Sequence, residues 1–404
     1  MSESSTRRAF LQAVGLSAAA LGLRGSAMAQ DQADKKVIQG FDEVENGPNT
    51  SKNWRPISNR KIRVGIAGYG VCRFGAAFGF QDHPNVEVVA VSDLFPDRCA
   101  ELAKKCRCGK TYPSIEEMVK DDAIEAVFVA TDAPSHARHC IEVMKHGKHV
   151  CTAVPAVWGG ASEEADELLE IVKTTGLKYM MFETSCFRAD CYAMRQVYMA
   201  GGFGQLVYSE GEYYHYHGDG SIASYENWRE GMPPLWYPTH STAYYVGVTD
   251  HAFTTVSCMG FKSGSRLFLP GANQYGNEYT DEVALFATTE GGTSRMLKAR
   301  STYKKGGETG RVFGENGWMD GTKYLGSMTK LPNIERPSLP PGVDAGGHGG
   351  SHGRLTDEFI SSILADRKPL VDIYQSLNMT VPGIIAHQSA LKDGETMKVP
   401  SYRA

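Results

Sequence analysis

The sequence predicts an α/β protein: an N-terminal Rossmann-type domain, built on a doubly wound parallel sheet, followed by a C-terminal α/β domain with an open, largely antiparallel sheet. Three observations lead to this prediction. Apolar strand-like runs alternate with helix-like segments over residues 60–184. The first of these runs leads directly into closely spaced glycines. Beyond residue 184 the strand-like runs become long and follow one another with few helices between them.

The first domain is predicted to span residues 60–184. Its strands are β-branched and apolar runs at 61–70, 86–93, 123–132, 148–154 and 177–184. Helical spacing predicts helices at 74–80, 96–105, 114–121, 136–147, 161–176 and 190–202, the last of which opens the second domain. Ser114 is placed to cap its helix, and Gly147 and Gly176 suit helix ends. A regular alternation of strand and helix produces a parallel sheet.

The second domain is predicted over residues 185–404 and carries the substrate and oligomer contacts. Its strands are predicted at 206–216, 254–260, 282–289, 293–301 and 310–319. Two helices follow at 354–365 and 376–394, and Pro382 is expected to kink the second. The Pro- and Gly-rich segment 332–350 is expected on the surface or over a site.

Composition sets broad limits on the class of protein. The 404 residues are 42% apolar and 22% charged, which suits two globular domains. The formal charge of −4 gives no reason to expect nucleic acid as a partner. Most of the nine cysteines are expected to pack as small hydrophobes, with one or two disulfides left open. Cys106 and Cys108 are too close for zinc spacing and have no second pair, so no metal site is predicted.

The N-terminus resembles a twin-arginine export signal over residues 1–29. Arg7 and Arg8 precede an apolar run at 13–23, and Ala27-Met28-Ala29 has the small residues of a cleavage site. The apolar run is too short to span a bilayer, and no later segment is apolar enough to do so. We therefore expect an exported protein without a membrane span, in the periplasm or otherwise outside the cytoplasm. Residues 30–59 are polar and are predicted to form an extended arm.

The glycines after the first strand form the first half of a dinucleotide-binding fingerprint. The stretch lies at the strand end and reads Gly68-Tyr69-Gly70-Val71-Cys72-Arg73. Gly68 allows a tight turn, and Gly70 lets a pyrophosphate approach the backbone. Arg73 replaces the third glycine, although Gly75 follows two residues later. Asp93 ends the next strand, 25 residues after Gly68, and suits the ribose hydroxyls of NAD. Arg73 and Arg98 would instead suit the 2′-phosphate of NADP, which stays open as the alternative.

The chain resembles the Gfo/Idh/MocA family of nicotinamide-dependent, sugar-active enzymes. The matching segments are VGIAGYG, AVSDLFPDR, VFVATDAPSH and HVCTAVPA, in that order. The resemblance implies a Rossmann domain, a second domain whose open sheet faces the nicotinamide, a carbohydrate substrate, and dimers or tetramers formed through that sheet. It also implies cofactor contacts from Thr131, Pro134, His136, Ala153 and Pro155. The alternative for His136 is that it only starts its helix.

One departure from the family places the usual mechanism in doubt. Many members carry Glu-Lys-Pro where this chain has Ala153-Val154-Pro155, and valine cannot donate, accept or carry charge. The acid usual four residues before the family histidine is replaced by Trp236. The NAD-dependent glycosidase branch, of the α-N-acetylgalactosaminidase type, departs similarly. Its Val-Pro-Ala, Tyr-Pro-Thr-His and Gly-Gly-His-Gly-Gly segments resemble those at 154–156, 237–240 and 346–350. In two places this chain differs from that branch: Ala153 stands where an acid is usual, and Ser351-His352-Gly353 follow the glycine loop.

The stretch WYPTHSTAYY, residues 236–245, holds the leading catalytic candidate. The glycosidase resemblance implies that His240 and Tyr237 are catalytic. His240 also suits a base because its ordinary pKa is near neutral, and Val154 leaves that role vacant. A histidine among aromatic rings also suits a buried core. The remaining aromatic residues of the stretch are expected to pack or to form a sugar platform: Trp236, Tyr244 and Tyr245.

Other polar residues are candidates for substrate contact. Alternation along one strand places Glu210, Glu212 and Tyr214 on one face, which is equally consistent with solvent, and His217 lies just beyond. Lys298 and Arg300 alternate in the same way on a later strand, and solvent exposure is the alternative. His348 and His352 flank glycines without a nearby carboxylate, which favours substrate contact or a plain loop over a metal.

Three functions remain open from the sequence. The first is an exported NAD(P)-dependent oxidoreductase, which keeps its cofactor bound and recycles it because no NAD supply exists outside the cytoplasm. The second is an NAD-dependent glycosidase or lyase, which oxidises C3, eliminates the leaving group and then reduces the ketone again. The third is a sugar-binding relative without activity, suggested by Val154. The sequence identifies neither the sugar nor its anomer.

Overall fold

The computed structural model describes residues 53–160, 162–216 and 223–403, apart from the side chain of Ser162. The export signal at 1–29, the first part of the arm, 30–52, and His217 lie outside the described residues. The described end of the arm, 53–59, has neither helix nor strand. Trp54 anchors it, since its indole nitrogen donates to Asp357 Oδ1 at 3.1 Å.

The first sheet has six parallel strands in the order β3-β2-β1-β4-β5-β6. Their bounds are β1 Ile62–Ala67, β2 Val86–Ser92, β3 Thr111–Tyr112, β4 Ala126–Val129, β5 His149–Thr152 and β6 Tyr179–Met181. This is the strand order of the doubly wound dinucleotide-binding fold, so the predicted class is confirmed. The strands end earlier than predicted because the apolar runs continue into the loops at their carboxyl ends. The order reverses between β1 and β4, where such folds bind ligands.

Helices connect these strands, and a last helix follows β6 and leads to the second sheet. Their bounds are α1 Phe74–Ala77, α2 Pro96–Cys106, α3 Ile115–Met118, α4 His136–Lys145, α5 Ser162–Thr175 and α6 Ala189–Met199. The predicted cap is present, because Ser114 Oγ accepts from Glu117 N at 3.3 Å. The helix predicted at 74–80 is broken into α1 and a 3-10 turn, Phe80–Asp82, because Gly79 adopts a left-handed φ of 77°.

The second sheet has eight strands in the order β13-β12-β11-β7-β10-β9-β8-β14. Their bounds are β7 Leu206–His215, β8 Phe253–Phe261, β9 Asp281–Thr288, β10 Thr293–Ala299, β11 Gly306–Gly314, β12 Gly317–Asp320, β13 Lys323–Gly326 and β14 Met397–Lys398. Neighbours are antiparallel except for β7 and β10, which run parallel, so the largely antiparallel sheet is confirmed. The strand predicted at 310–319 is a hairpin of β11 and β12, because the chain turns at 315–316.

Three longer helices cover the inner face of this sheet or pack back toward the first sheet. Their bounds are α7 Thr239–Thr249, α8 His352–Leu364 and α9 Ile373–Ala390. Helix α9 continues through Pro382. The loop between α8 and α9 contacts the first sheet, because the Val371 carbonyl accepts a hydrogen bond from Met181 N of β6 at 3.0 Å. The described residues form one compact unit, so the boundary between 184 and 185 stays a prediction.

Helix α7 carries His240 and was not predicted from the sequence. All of its residues are buried, so it has no polar face and therefore no helical periodicity of apolar residues. It lies against the sheet where Gly211 of β7 pairs with Gly310 of β11. A Cβ on Gly211 would overlap the Ser241 carbonyl oxygen, and one on Gly310 would overlap the Tyr244 ring. The two glycines therefore set how closely α7 approaches the sheet.

We expect Gly211→Ala to lower the free energy of unfolding by about 1–3 kcal/mol, because α7 must move away from the sheet. Thermal unfolding of the purified protein measures this change. Gly109→Ala is the control: a Cβ there meets no atom within 4 Å, so its effect should stay within about 0.5 kcal/mol. Equal melting temperatures for the two variants would contradict the close contact.

The outer face of the second sheet carries exposed apolar side chains. Met259, Val283 and Leu285 are 64%, 40% and 51% exposed on neighbouring strands. The homo-oligomer expected through this sheet stays a prediction.

The described helices include none that is long and apolar enough to cross a membrane. All nine cysteines lie in the described part of the chain and are free thiols, seven of them buried.

Candidate active site

A groove of about 350 Å³ runs along the carboxyl ends of β1, β2 and β4. Nine of the residues predicted to bind the cofactor line this groove: Gly68, Tyr69, Gly70, Val71, Cys72, Arg73, Asp93, Arg98 and Thr131. They come from three strand ends and meet because the strands are parallel. The groove therefore lies where the strand order predicts a ligand.

The glycines fit a dinucleotide. Gly68 has a φ of 103°, and a Cβ there would overlap the Ala130 carbonyl, so only glycine is accommodated. A Cβ on Gly70 would meet no atom within 4 Å, which leaves the backbone open to the groove. Gly75 takes the packing role of the missing third glycine, because a Cβ there would overlap the Gly68 carbonyl. Arg73 instead adopts a left-handed φ of 54°.

Asp93 and the nearby cations bear on the choice of cofactor. The Asp93 carboxylate accepts from Tyr69 N at 2.6 Å and from Phe95 N at 2.9 Å, which fixes it at the groove. Arg73 forms an ion pair with Glu101, so its charge is already partnered. Arg98 lies over the Phe95 ring at 4.3 Å and has no carboxylate partner among the described residues. A fixed carboxylate favours a ribose diol over a 2′-phosphate, which supports NAD.

We expect Gly70→Val to remove cofactor binding without unfolding the protein. The new side chain would enter the groove, where the structure leaves space, and would exclude the pyrophosphate. Nucleotide released from denatured protein, measured by chromatography, should fall well below the wild-type amount, while the melting temperature without cofactor stays unchanged. A wild-type amount of nucleotide in the variant would refute the placement of the pyrophosphate at Gly70.

Four predicted cofactor residues do not line the groove: Pro134, His136, Ala153 and Pro155. His136 begins α4 and is 1% exposed, with Nδ1 2.8 Å from the Pro155 carbonyl and Nε2 3.3 Å from the Thr131 carbonyl. Burial lowers the pKa of His136, so the ring is neutral and donates to only one of these carbonyls. It holds two strand ends together, and direct cofactor contacts from these residues stay predictions.

A second cavity, of about 340 Å³, joins the groove. Both are lined by Val71, Cys72, Phe74 and Arg229, so a ligand in one adjoins a ligand in the other. Five of the catalytic and substrate residues predicted from the sequence line this cavity: Tyr237, His240, Lys298, Arg300 and His348. The structure thus brings together residues that are more than 100 positions apart in the chain.

His240 is paired with a buried carboxylate. Its Nδ1 lies 2.7 Å from Glu183 Oε1, and the two residues are 3% and 0% exposed. Glu183 also accepts from Ser185 N at 2.8 Å, which fixes the carboxylate. Because Nδ1–H donates to Glu183, Nε2 is the nitrogen left for the cavity. A histidine held by a carboxylate in this way is the arrangement of a general base that removes a proton from a hydroxyl.

Electrostatics favours a charged pair. Burial lowers the pKa of His240, but attraction to Glu183 and the hydrogen bond to it outweigh burial, and the pKa is raised. Burial likewise raises the pKa of Glu183, but His240 outweighs it and the pKa is lowered. The carboxylate therefore stabilises the imidazolium that forms when His240 takes a proton.

Two tyrosines and a lysine surround His240. The Tyr237 and Tyr213 rings lie 5.6 Å and 4.8 Å from the imidazole. Burial raises the pKa of both phenols, so both are hydrogen-bond donors at neutral pH. Lys298 Nζ lies 3.0 Å from the centre of the Tyr213 ring. Burial and then Arg300 lower the pKa of Lys298 well below its usual range.

The glycine loop adds a second histidine. His348 stacks near His240, with ring centres 6.0 Å apart, and its Nδ1 lies 2.8 Å from His352 Nε2. His352 is buried behind it and stacks on Phe78 at 4.1 Å, so it supports His348. Burial lowers the pKa of His348 and lowers that of His352 to about 4. Of the segment 332–350, which was expected on the surface or over a site, His348 lines the cavity.

Glu212 and Tyr214 require a correction. They point to the outer face of the second sheet, where Glu212 pairs with Arg295. Alternation instead brings Tyr213 and His215 of the same strand to the cavity. A shift of one residue exchanges the two faces, so the sequence alone left both orientations open.

The aromatic neighbours of His240 pack. Tyr244 and Tyr245 are fully buried and donate to Asp190 at 2.8 Å and to Glu290 at 3.1 Å. Trp236 contacts Trp158 at a ring distance of 5.7 Å. None of the three lines the cavity.

Sequence reasoning missed several site residues: Glu183, Tyr213, His215 and Arg229. A signal existed for Glu183, which follows a parallel strand at its carboxyl end, where functional side chains gather. Tyr213 and His215 could not be found without knowing which face of β7 points to the cavity. Arg229 could not be found without knowing the path of its loop.

A dinucleotide groove that opens into a cavity with a carboxylate-held histidine defines an enzyme of the dinucleotide-dependent oxidoreductase class. Within the described residues no group of three or more His, Cys, Asp or Glu side chains is arranged to hold a metal. Residues 62–183 match the model of the Gfo/Idh/MocA family, which is described as an oxidoreductase family with an NAD-binding Rossmann fold. The resemblance inferred from the sequence is confirmed.

Relatives and solved structures agree with this family. A glycosyl hydrolase family 109 protein from Solibacter usitatus is 23% identical over 96% of this chain and 95% of its own. Another from Stenotrophomonas maltophilia is 23% identical over 85% and 90%. A levoglucosan dehydrogenase, solved with NADH and levoglucosan, has a TM-score of 0.69 at 15% identity and covers 85% of this chain and 100% of its own. At that identity the likeness shows the fold alone.

Proposed function

We propose that the protein is an NAD-dependent oxidoreductase that acts on a hydroxyl of a sugar or glycoside. One observation carries this proposal: His240, held by the buried carboxylate of Glu183, lines a cavity that opens into the dinucleotide groove. The oxidoreductase family of residues 62–183 supports it. Sugar-type substrates are suggested by the levoglucosan and myo-inositol dehydrogenases of the same fold.

The groove residues would hold NAD along the strand ends, with Asp93 at the ribose and Gly70 at the pyrophosphate. When bound, NAD supplies the acceptor for the hydrogen that leaves carbon with its electron pair. His240 Nε2 takes the hydroxyl proton, and Glu183 stabilises the resulting imidazolium. Tyr237 stays protonated because burial raises its pKa, so it donates a hydrogen bond to a substrate oxygen. His240 thereby takes the part that Val154 cannot perform.

A second candidate is net glycoside cleavage. The full-length relatives named glycosyl hydrolase family 109 favour it, as does a protonated Tyr237 beside His240. Oxidation at C3 acidifies the C2 proton, a base removes it, and the C1 substituent leaves. Water then adds and the ketone is reduced, so the cofactor returns to its starting state. No pair of carboxylates is needed for this chemistry.

The two candidates are separated with purified protein and p-nitrophenyl glycosides, without added NAD. Release of nitrophenol indicates the glycosidase. A sugar-dependent rise in the absorbance of reduced nicotinamide without release indicates the oxidoreductase. Protein that purifies without nucleotide, binds none when NAD is added and is inactive would overturn both and leave a sugar-binding relative.

We also propose that the protein is exported with its cofactor bound and recycles it. The support is the twin-arginine pattern at Arg7 and Arg8, since that route carries folded proteins. Outside the cytoplasm a dissociated cofactor would not be replaced. Nucleotide retained through extensive dialysis would support this proposal, and rapid loss would count against it.

A further inference from the structure

The cavity wall carries basic side chains beyond His240. Lys298 in β10 and Arg300, which follows the strand end, point to the same side, and they are 1% and 8% exposed. Arg229 lines the same cavity. Two guanidinium groups and the Lys298 amine therefore surround a space of about 340 Å³.

No carboxylate compensates these charges from the cavity wall. Among the described residues that line it, none is Asp or Glu. Lys298 and Arg300 form no ion pair and no side-chain hydrogen bond within the described chain, and Arg300 Nε is buried without a partner. Each of the two side chains lies near an aromatic ring: Lys298 near Tyr213, and the Arg300 guanidinium 5.8 Å from Phe268. A ring face attracts a cation, but it does not satisfy the five N–H donors of a guanidinium.

The acids near Lys298 and Arg300 already have partners. Glu282, opposite Lys298 in the strand ladder, accepts from Leu235 N at 2.8 Å and pairs with His387. Asp281 Oδ1 accepts from Arg300 N at 2.9 Å and from Ser301 N at 3.2 Å, and Oδ2 accepts from the hydroxyls of Thr280 and Ser301. Glu308 pairs with Arg188 at 2.7 Å. Burying the Arg300 guanidinium without a partner is costly unless a ligand supplies the opposite charge, and an anion there would also favour protonation of Lys298.

We propose that the cavity binds an anionic sugar, one that carries a carboxylate, a sulfate ester or a phosphate, with the anionic group on Arg300 and Lys298. The proposal rests on the proposed function and narrows its substrate class. The cavity also offers hydroxyl donors beside these cations: Ser263, Ser265, Thr280 and Ser301. His240 lies at the side of the cavity that adjoins Tyr213 and Lys298, so one sugar reaches both the base and the anion contacts.

Calorimetry on the full, cofactor-loaded chain tests the proposal. The probes are methyl glucoside, glucuronate, and methyl glucoside carrying a 6-sulfate or a 6-phosphate. We expect at least one anionic probe to bind roughly ten-fold or more tightly than methyl glucoside, as one charge-assisted contact provides. The anionic probe that binds most tightly identifies the anionic group as a carboxylate, a sulfate ester or a phosphate. Equal or weaker binding of all three anionic probes than of the neutral one would overturn the proposal.

Variants locate the anion contact. Arg300→Gln should remove the preference for the anionic probe, whereas Arg311→Gln, which removes a cation paired with Glu210 on the outer face, should keep it. A preference that persists in folded Arg300→Gln would overturn the assignment. Should that variant not fold, inorganic sulfate must compete with the anionic probe on the wild-type protein, and absence of competition counts against the proposal. These measurements detect binding only, so absent nicotinamide reduction would overturn the proposed activity and not this inference.

Discussion

His240→Asn lowers kcat by about 10²–10⁴-fold, the contribution of a positioned general base. The asparagine amide nitrogen takes the place of Nδ1 and still donates to Glu183, so the buried carboxylate keeps a partner. Nothing replaces Nε2, which is the atom that receives the substrate proton. Cofactor content should be unchanged, because His240 does not line the dinucleotide groove. Steady-state kinetics with the active glycoside or sugar measures the loss.

The matched control for this prediction is His251→Asn. His251 follows the other end of α7 and is 43% exposed at its side chain, away from both the cavity and the groove. It should retain wild-type kcat and KM. His240→Ala is the second test: it removes the same base but leaves Glu183 unpaired, so it should also lower the melting temperature. Turnover near the wild-type rate in folded His240→Asn would reject His240 as the base.

Glu183→Gln is expected to lower kcat/KM by about 10²–10⁴-fold, because the neutral amide neither fixes the imidazole tautomer nor stabilises imidazolium. It should also move the pH profile. A base works when it is neutral, so activity rises as pH increases through the pKa of His240. Glu183 raises that pKa above its ordinary value of 6.5. Removing the charge leaves burial dominant, so the rising limb should shift to lower pH.

The pH profile of kcat/KM from pH 5 to 9 separates this role from a structural one. A destabilised protein would lose activity without moving the limb. Glu358→Gln provides the comparison, since Glu358 is also buried and paired, with Arg367 at 2.6 Å, but lies outside the cavity. An unchanged limb in Glu183→Gln would mean that the carboxylate does not set the pKa of the base.

The cofactor groove was largely predictable from the sequence. Its defining residues, Gly68, Gly70 and Asp93, lie within 25 positions of each other in two consecutive strand–loop units. Such a unit folds by local rules, because strand alternation and glycine turns depend on near neighbours. His136, which does not line the groove, follows a strand too, but its side chain turns toward the carbonyls of Pro155 and Thr131.

The substrate cavity was predictable only as a set of candidates. Lys298, Arg300 and His348 were named from the sequence, and the structure brings all three to the cavity. The orientation of β7 was open, and the fold selected Tyr213 over Glu212. Helix α7 left no periodic signal because packing buries it on every side.

By itself the sequence determined the doubly wound fold and the dinucleotide groove, and it singled out His240 as a candidate base, because each depends on local pattern or on one short motif. Only the tertiary structure decided that Glu183, 57 positions earlier in the chain, holds His240. It also decided that Lys298 of β10 and Arg300 just beyond it face inward, without carboxylate partners in the described cavity wall. Both are contacts between distant segments, and such contacts follow from how the two sheets and α7 pack together.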